Sequence, residues 1–85
     1  MRHASPEDLE QIADLVSALR ATDALTEKSP GVFYRRSKAF LHFHADPQGT
    51  YADVRIEPDA DFERVRVTTK AEQRSLLSTI RRALK

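Results

Sequence analysis

The sequence contains no cysteine. That excludes a disulfide framework and any thiolate metal site. It has two glycines, Gly31 and Gly49, and both fall in apparent turns. A glycine-rich loop that cradles phosphates is therefore absent. Apolar runs stop after a few residues, far short of a membrane span. Met1-Arg2-His3-Ala4-Ser5-Pro6 leads into no apolar segment, so no signal peptide is expected and the cytoplasm is the expected location. Charge of one sign does not dominate either: 14 Lys and Arg face 13 Asp and Glu, for a net charge of +1. A nonspecific nucleic-acid binder usually carries a much stronger basic bias.

What is present suits a folded, soluble chain. Apolar residues make up 40% and charged residues 32%, a balance that separates it from a disordered tail. At 85 residues there is room for one domain with one core, so residues 1–85 are read as a single α+β domain. The charges are unevenly placed. Glu7, Asp8, Glu10 and Asp14 lie in the first helical segment, and Lys70, Arg74, Arg81, Arg82 and Lys85 in the last. Acids near a helix start and bases near a helix end complement the macrodipole.

Ser5-Pro6-Glu7-Asp8 reads as a helix start, with Ser5 as cap, Pro6 in the first turn and Asp8 reaching back. Leu9, Ile12, Val16 and Leu19 follow at helical spacing, with Ala13 filling in. The helix is expected to end between Arg20 and Thr26, and Ser29-Pro30-Gly31 breaks the chain. Four strand-like runs come next: 32–36, 39–44, 51–56 and 62–67. Ser37-Lys38 separates the first two. Asp46-Pro47-Gln48-Gly49 has the residues of a type I turn. Residues 57–61 form the third connection. Thr69-Lys70-Ala71-Glu72 is a capping box, and Leu76, Leu77, Ile80, Ala83 and Leu84 mark a second amphipathic helix. The order is α-β-β-β-β-α. The strand connections are too short for parallel crossovers, so the sheet is an antiparallel four-stranded meander. Packing both helices on one of its faces gives a two-layer sandwich.

Alternation splits each strand into two faces. Leu41 and Phe43, then Ala52, Val54 and Ile56, then Val65 and Val67 form the apolar sets that should meet the helices. The opposite face would carry Phe40, His42, His44, Tyr51, Asp53, Arg55, Phe62, Arg64 and Arg66. With two helices, nothing in the chain is left to cover it, and an open face with aromatics points to a partner.

Four uses of that face are expected from its chemistry. His42 and His44 stand at i and i+2, and Asp53 on the neighbouring strand could complete a two-histidine, one-carboxylate set for a divalent metal. The same residues could form an acid–base pair, or simply a polar cross-strand network that stabilises the sheet. No serine or threonine is placed as an activated nucleophile, so catalysis is not the expected role. Tyr34, Arg35, Arg36 and Lys38, with Phe40, Tyr51, Arg55, Arg64 and Arg66, could form a surface for single-stranded nucleic acid. Finally, Phe40, Tyr51 and Phe62 rimmed by arginines resemble the centre of an interface, so a homodimer or another protein-interaction role leads the expectations.

Phe33-Tyr34-Arg35-Arg36, then Ala39-Phe40-Leu41-His42-Phe43-His44, then Ala52-Asp53-Val54-Arg55 resembles a group of small uncharacterised bacterial proteins. In these, a similar aromatic-basic strand leads to a His-Phe-His strand and an Ala-Asp-Val-Arg-like strand. Some look like proteins labelled luciferase-domain. The resemblance spans roughly residues 31–84. It implies an α+β domain of bacterial origin and assigns a role to no residue. Nothing in the sequence matches a flavin or luciferin site.

Overall fold

Both expected helix starts carry their caps. In the computed structural model, which describes residues 2–84, the Ser5 side chain accepts from the Asp8 amide while the Asp8 carboxylate accepts from the Ser5 amide. Thr69 and Glu72 make the same reciprocal pair. Each box satisfies amides that the first helical turn leaves without a partner. The elements in chain order are β1 (Arg2–His3), α1 (Pro6–Gln11), α2 (Ala13–Arg20), β2 (Leu25–Ser29), β3 (Val32–Arg35), β4 (Lys38–Asp46), β5 (Gly49–Val54), β6 (Glu63–Arg66) and α3 (Lys70–Ala83).

The sheet is antiparallel throughout, in the order β2-β3-β4-β5-β6. It carries two strands beyond the expected meander. β2 forms a hairpin with β3 through Pro30-Gly31, with Ser29 opposite Val32. Gly31 has φ +75°, the left-handed value that the third position of a type II turn requires. The breaker read from the sequence is therefore the tip of a hairpin. β1 is the other addition. Arg2 pairs with Ala45 and His3 with His44. β5 already occupies one edge of β4 from Leu41 to Asp46, so β1 lies on the other edge, in line with β3. The expected first helix is also two segments: Ile12, at φ −118° and ψ 31°, separates α1 from α2.

The helices cover one face, giving the α+β two-layer arrangement. Leu9, Ile12, Leu15, Val16 and Leu19 meet Leu76 and Ile80 over Phe33, Leu41, Phe43, Ala52, Val54 and Val67. Val65 and Ile56 pack against this cluster from its margin. No helix among the described residues is long and apolar enough to cross a membrane.

One residue breaks the alternation. Val32 pairs with His42 and Phe33 with Leu41, but Tyr34 pairs with Ala39. Phe40 is thus the extra residue of a β-bulge, which shifts the phase of the strand by one. Phe40 and Leu41 are both buried as a result. Phe40, expected on the open face beside His42, is 2% exposed and belongs to the core. Arg55 fastens the bulge from the far side: its amide donates to Phe40 O at 2.8 Å and its Nη2 to Ala39 O at 2.6 Å.

Candidate metal centre on the open sheet face

Past the bulge the alternation holds, and the pairing stacks the polar residues into two rungs. One runs Val32–His42–Asp53–Arg64 across β3, β4, β5 and β6. The next runs His3–His44–Tyr51–Arg66 across β1, β4, β5 and β6. Residues directly opposite in antiparallel strands project to the same face, so each rung is a row of neighbouring side chains.

The imidazoles meet. His42 Nδ1 lies 2.7 Å from His44 Nε2, and His44 Nε2 lies 3.3 Å from Asp53 Oδ2. A hydrogen bond between two ring nitrogens needs one donor and one acceptor, so at least one of the facing nitrogens carries no proton. Arg64 holds the carboxylate in place with two bonds, Nε to Oδ1 at 2.8 Å and Nη2 to Oδ2 at 3.0 Å. Phe62 packs on His42 with ring centroids 5.2 Å apart, and the Arg55 guanidinium lies 4.7 Å from the Phe62 centroid. The His3 ring meets His44 edge-on at 5.8 Å.

This packing sets the charge states. Burial holds the His42 pKa below its ordinary value, and the neighbouring His44, His3 and Arg64 push in the same direction against the pull of Asp53. Asp53 is 8% exposed, yet the Arg64 hydrogen bonds outweigh burial and keep its pKa below the usual carboxylate range. At neutral pH the cluster thus offers a neutral imidazole and an ionised carboxylate, the forms in which these side chains bind metals.

One donor atom from each of His42, His44 and Asp53 lies within 4.8 Å of the others. A tetrahedral zinc site with bonds of about 2.0–2.2 Å places its donors roughly 3.3 Å apart. The His44–Asp53 separation already has that value. His42 would have to swing by on the order of 1 Å to reach the same spacing from both partners. Asp53 could offer Oδ2 while Arg64 Nε keeps Oδ1 and orients the carboxylate, the usual role of a residue behind a metal ligand.

The basic residues expected to form one surface divide into two groups. Arg64 is clamped on Asp53, and Arg66 is clamped on Glu72 through Nη1 at 3.0 and 3.1 Å. Arg35, Arg36 and Arg55 instead gather with Lys38 around the β3–β4 hairpin. Tyr34 is half-buried, with Lys28 Nζ 5.6 Å from its ring centroid. Tyr51 is half-buried on the second rung. With Phe40 in the core, the large hydrophobic left exposed among the described residues is Phe62, at 38%. The aromatic centre expected for self-association is therefore much reduced. His3, which the sequence reading passed over, enters the site because a two-residue strand sets it beside His44. No periodicity can be read from two residues.

Comparison of the chain with protein-family models, with curated proteins and with solved structures gives no match.

Proposed function

We propose that this domain binds a divalent transition-metal ion on its open sheet face through His42, His44 and Asp53. The observation that supports this reading most strongly is the convergence of three donor atoms, from two adjacent strands, within 4.8 Å of one another. Imidazole nitrogen with one carboxylate favours zinc, cobalt, nickel, copper or iron over calcium or magnesium. Three protein ligands leave at least one coordination position for water or another ligand. Binding displaces the proton shared by His42 and His44, so affinity rises with pH. A face made of imidazoles, a carboxylate and clamped arginines suits an ion better than it suits a second copy of the chain.

Thermal unfolding with and without zinc, cobalt and nickel at pH 7.5 tests the reading. A ligand at about 100 times its Kd stabilises by about 2.7 kcal/mol. For a domain of this size that raises Tm by roughly 10–20 °C. His42→Ala combined with His44→Ala should fold, yet show no metal-dependent shift. An unchanged Tm with all three ions refutes the proposal, as does an equal shift in the double variant.

A further inference from the structure

A second site takes shape at the opposite phase of β4. Arg35, Arg36 and Lys38 at the β3–β4 hairpin join Arg55, Ile56 and Pro58 around a cavity of about 290 Å³. Four of these side chains are cationic, and Ile56 and Pro58 supply an apolar wall, backed by the buried Phe40.

The fold accounts for Arg55, which fastens the bulge carbonyls, but gives no such reason for gathering Arg35, Arg36 and Lys38 beside it. Arg2, Arg20, Arg64 and Arg66 each hold a carboxylate, on Asp8, Glu27, Asp53 and Glu72, while Arg74, Arg81 and Arg82 stand without an ion pair among the described residues, strung along α3. Among the described residues, Arg35 and Arg36 have no such partner. Among the same residues Lys38 has only Asp59, at 3.8 Å and fully exposed. Arg55 bonds the Ala39 carbonyl through Nη2, which neutralises none of its charge. Like charges set close together repel and cost stability.

Arg36 adds a second cost. It has φ +58°, and it is the non-glycine residue with positive φ among those described. A side chain there costs about 1–2 kcal/mol relative to ordinary backbone. Glycine would avoid that cost, yet an arginine stands in its place. Unpaired cations, a strained arginine and an adjoining cavity with an apolar wall together mark a ligand site rather than a stabilising feature.

We infer that the β3–β4 hairpin binds a phosphomonoester carrying a compact apolar or aromatic group. A phosphomonoester carries a charge of about −1.5 to −2 at pH 7, which answers several cations at once, and guanidinium forks bind its oxygens in pairs. The apolar wall takes the body of the molecule. The cavity is at the small end of ligand sites, so the body is a single ring or a short chain rather than a polymer.

Phenyl phosphate is the probe, titrated in metal-free buffer and followed through the backbone amide resonances. This keeps the result independent of the metal reading. The amides of residues 35–40, 55 and 56 should shift saturably. Inorganic phosphate should move the same amides with weaker affinity, and phenol should not move them at comparable concentration. Arg36→Gly removes one charge while relieving the backbone, so the variant folds at least as well, and affinity should fall at least threefold. Arg35→Gln should do the same, with melting curves confirming that it is folded. Non-saturable shifts, equal shifts at Arg74, Arg81 and Arg82 on α3, benzoate binding as tightly as phenyl phosphate, or unchanged affinity in both variants would each overturn the assignment.

Discussion

Replacing Phe40 discriminates the bulged strand from a regular one. In regular alternation Phe40 shares the open face with His42 and His44, where Phe62 is 38% exposed. In the bulged strand it is 2% exposed and packed in the core. A phenylalanine side chain buries about 150–250 Å², worth about 4–6 kcal/mol at roughly 25 cal/mol per Å². Truncation to alanine should accordingly cost about 3–5 kcal/mol, once the cavity left behind is included. That is a large share of the total for a domain of this length, which is on the order of 4–13 kcal/mol. The milder Phe40→Leu keeps most of the apolar volume and should cost about 1–2 kcal/mol, so the protein stays folded and measurable. Phe62→Leu is the matched control and should stay within about 0.5 kcal/mol of the parent. Urea unfolding of the three proteins gives the comparison, with equal slopes showing that the midpoints report stability. Equal losses for Phe40→Leu and Phe62→Leu would refute the bulge and, with it, the placement of the hairpin cavity.

Gly49 has φ +149°, and a Cβ built there would overlap Thr68 Oγ1, which accepts from Thr50 N at 2.9 Å and donates to Thr50 O at 3.2 Å. Gly49→Ala should lose both bonds and strain the backbone, at about 2–4 kcal/mol; in a Thr68→Ala background the added cost should fall to about half, and a thermal-melt double-mutant cycle measures the difference. Gln73 is 4% exposed, its Oε1 has no partner among the described residues, and its Nε2 reaches Thr68 O only at 3.5 Å. Gln73→Leu should therefore stabilise by about 1 kcal/mol in chemical denaturation, and a loss of stability would show that the amide is satisfied. Stability should also fall with acid in two stages. The folded His42 pKa is lowered, so its contribution is complete above the unfolded value of about 6.5 and erodes as pH falls below it. The pKa values of Glu27 and Asp53 are lowered by Arg20 and Arg64, so their contributions are complete above about pH 4 and are lost below it. In a series of metal-free melts, His42→Gln should remove the first stage, and a Tm that holds steady from pH 7 to 5 in the parent would contradict the burial of His42.

The parts of the fold legible in the sequence are those governed by periodicity and by capping. Leu41, Phe43, Ala52, Val54 and Val67 reach the core as a period of two requires, and the Ser5 and Thr69 boxes stand where their spacing puts them. The 46–49 turn closes the β4–β5 hairpin, with the Asp46 side chain accepting from the Gln48 amide at 2.8 Å. The illegible parts have physical reasons. Leu25-Thr26-Glu27-Lys28-Ser29 buries one residue and lies at the sheet edge, so it shows no apolar alternation even though its backbone is fully strand-like. β1 is too short to have a pattern, and the break at Ile12 falls at a residue with no helix-breaking character. The bulge at Phe40 is a backbone irregularity without glycine or proline to announce it. Counting by twos back from His42 therefore assigns Phe40 to the wrong face.

That single extra residue also explains how one strand serves two chemistries. Below the bulge, β4 presents His42 and His44 to the open face opposite Asp53 and Tyr51. Above it, the phase is reversed, so Phe40 turns into the core and backs the cavity wall beside the unpaired cations of the hairpin. A shift of one residue in a strand exchanges its faces. Without the bulge, the ring of Phe40 would stand next to His42, and the cavity wall of Ile56 and Pro58 would lose its backing. Arg55 links the two regions, since it fastens the bulge carbonyls of Ala39 and Phe40 and also covers Phe62, which packs on His42. Arg55→Ala should thus loosen both regions at once, whereas Arg36→Gly should weaken only the hairpin site and His44→Ala only the imidazole cluster.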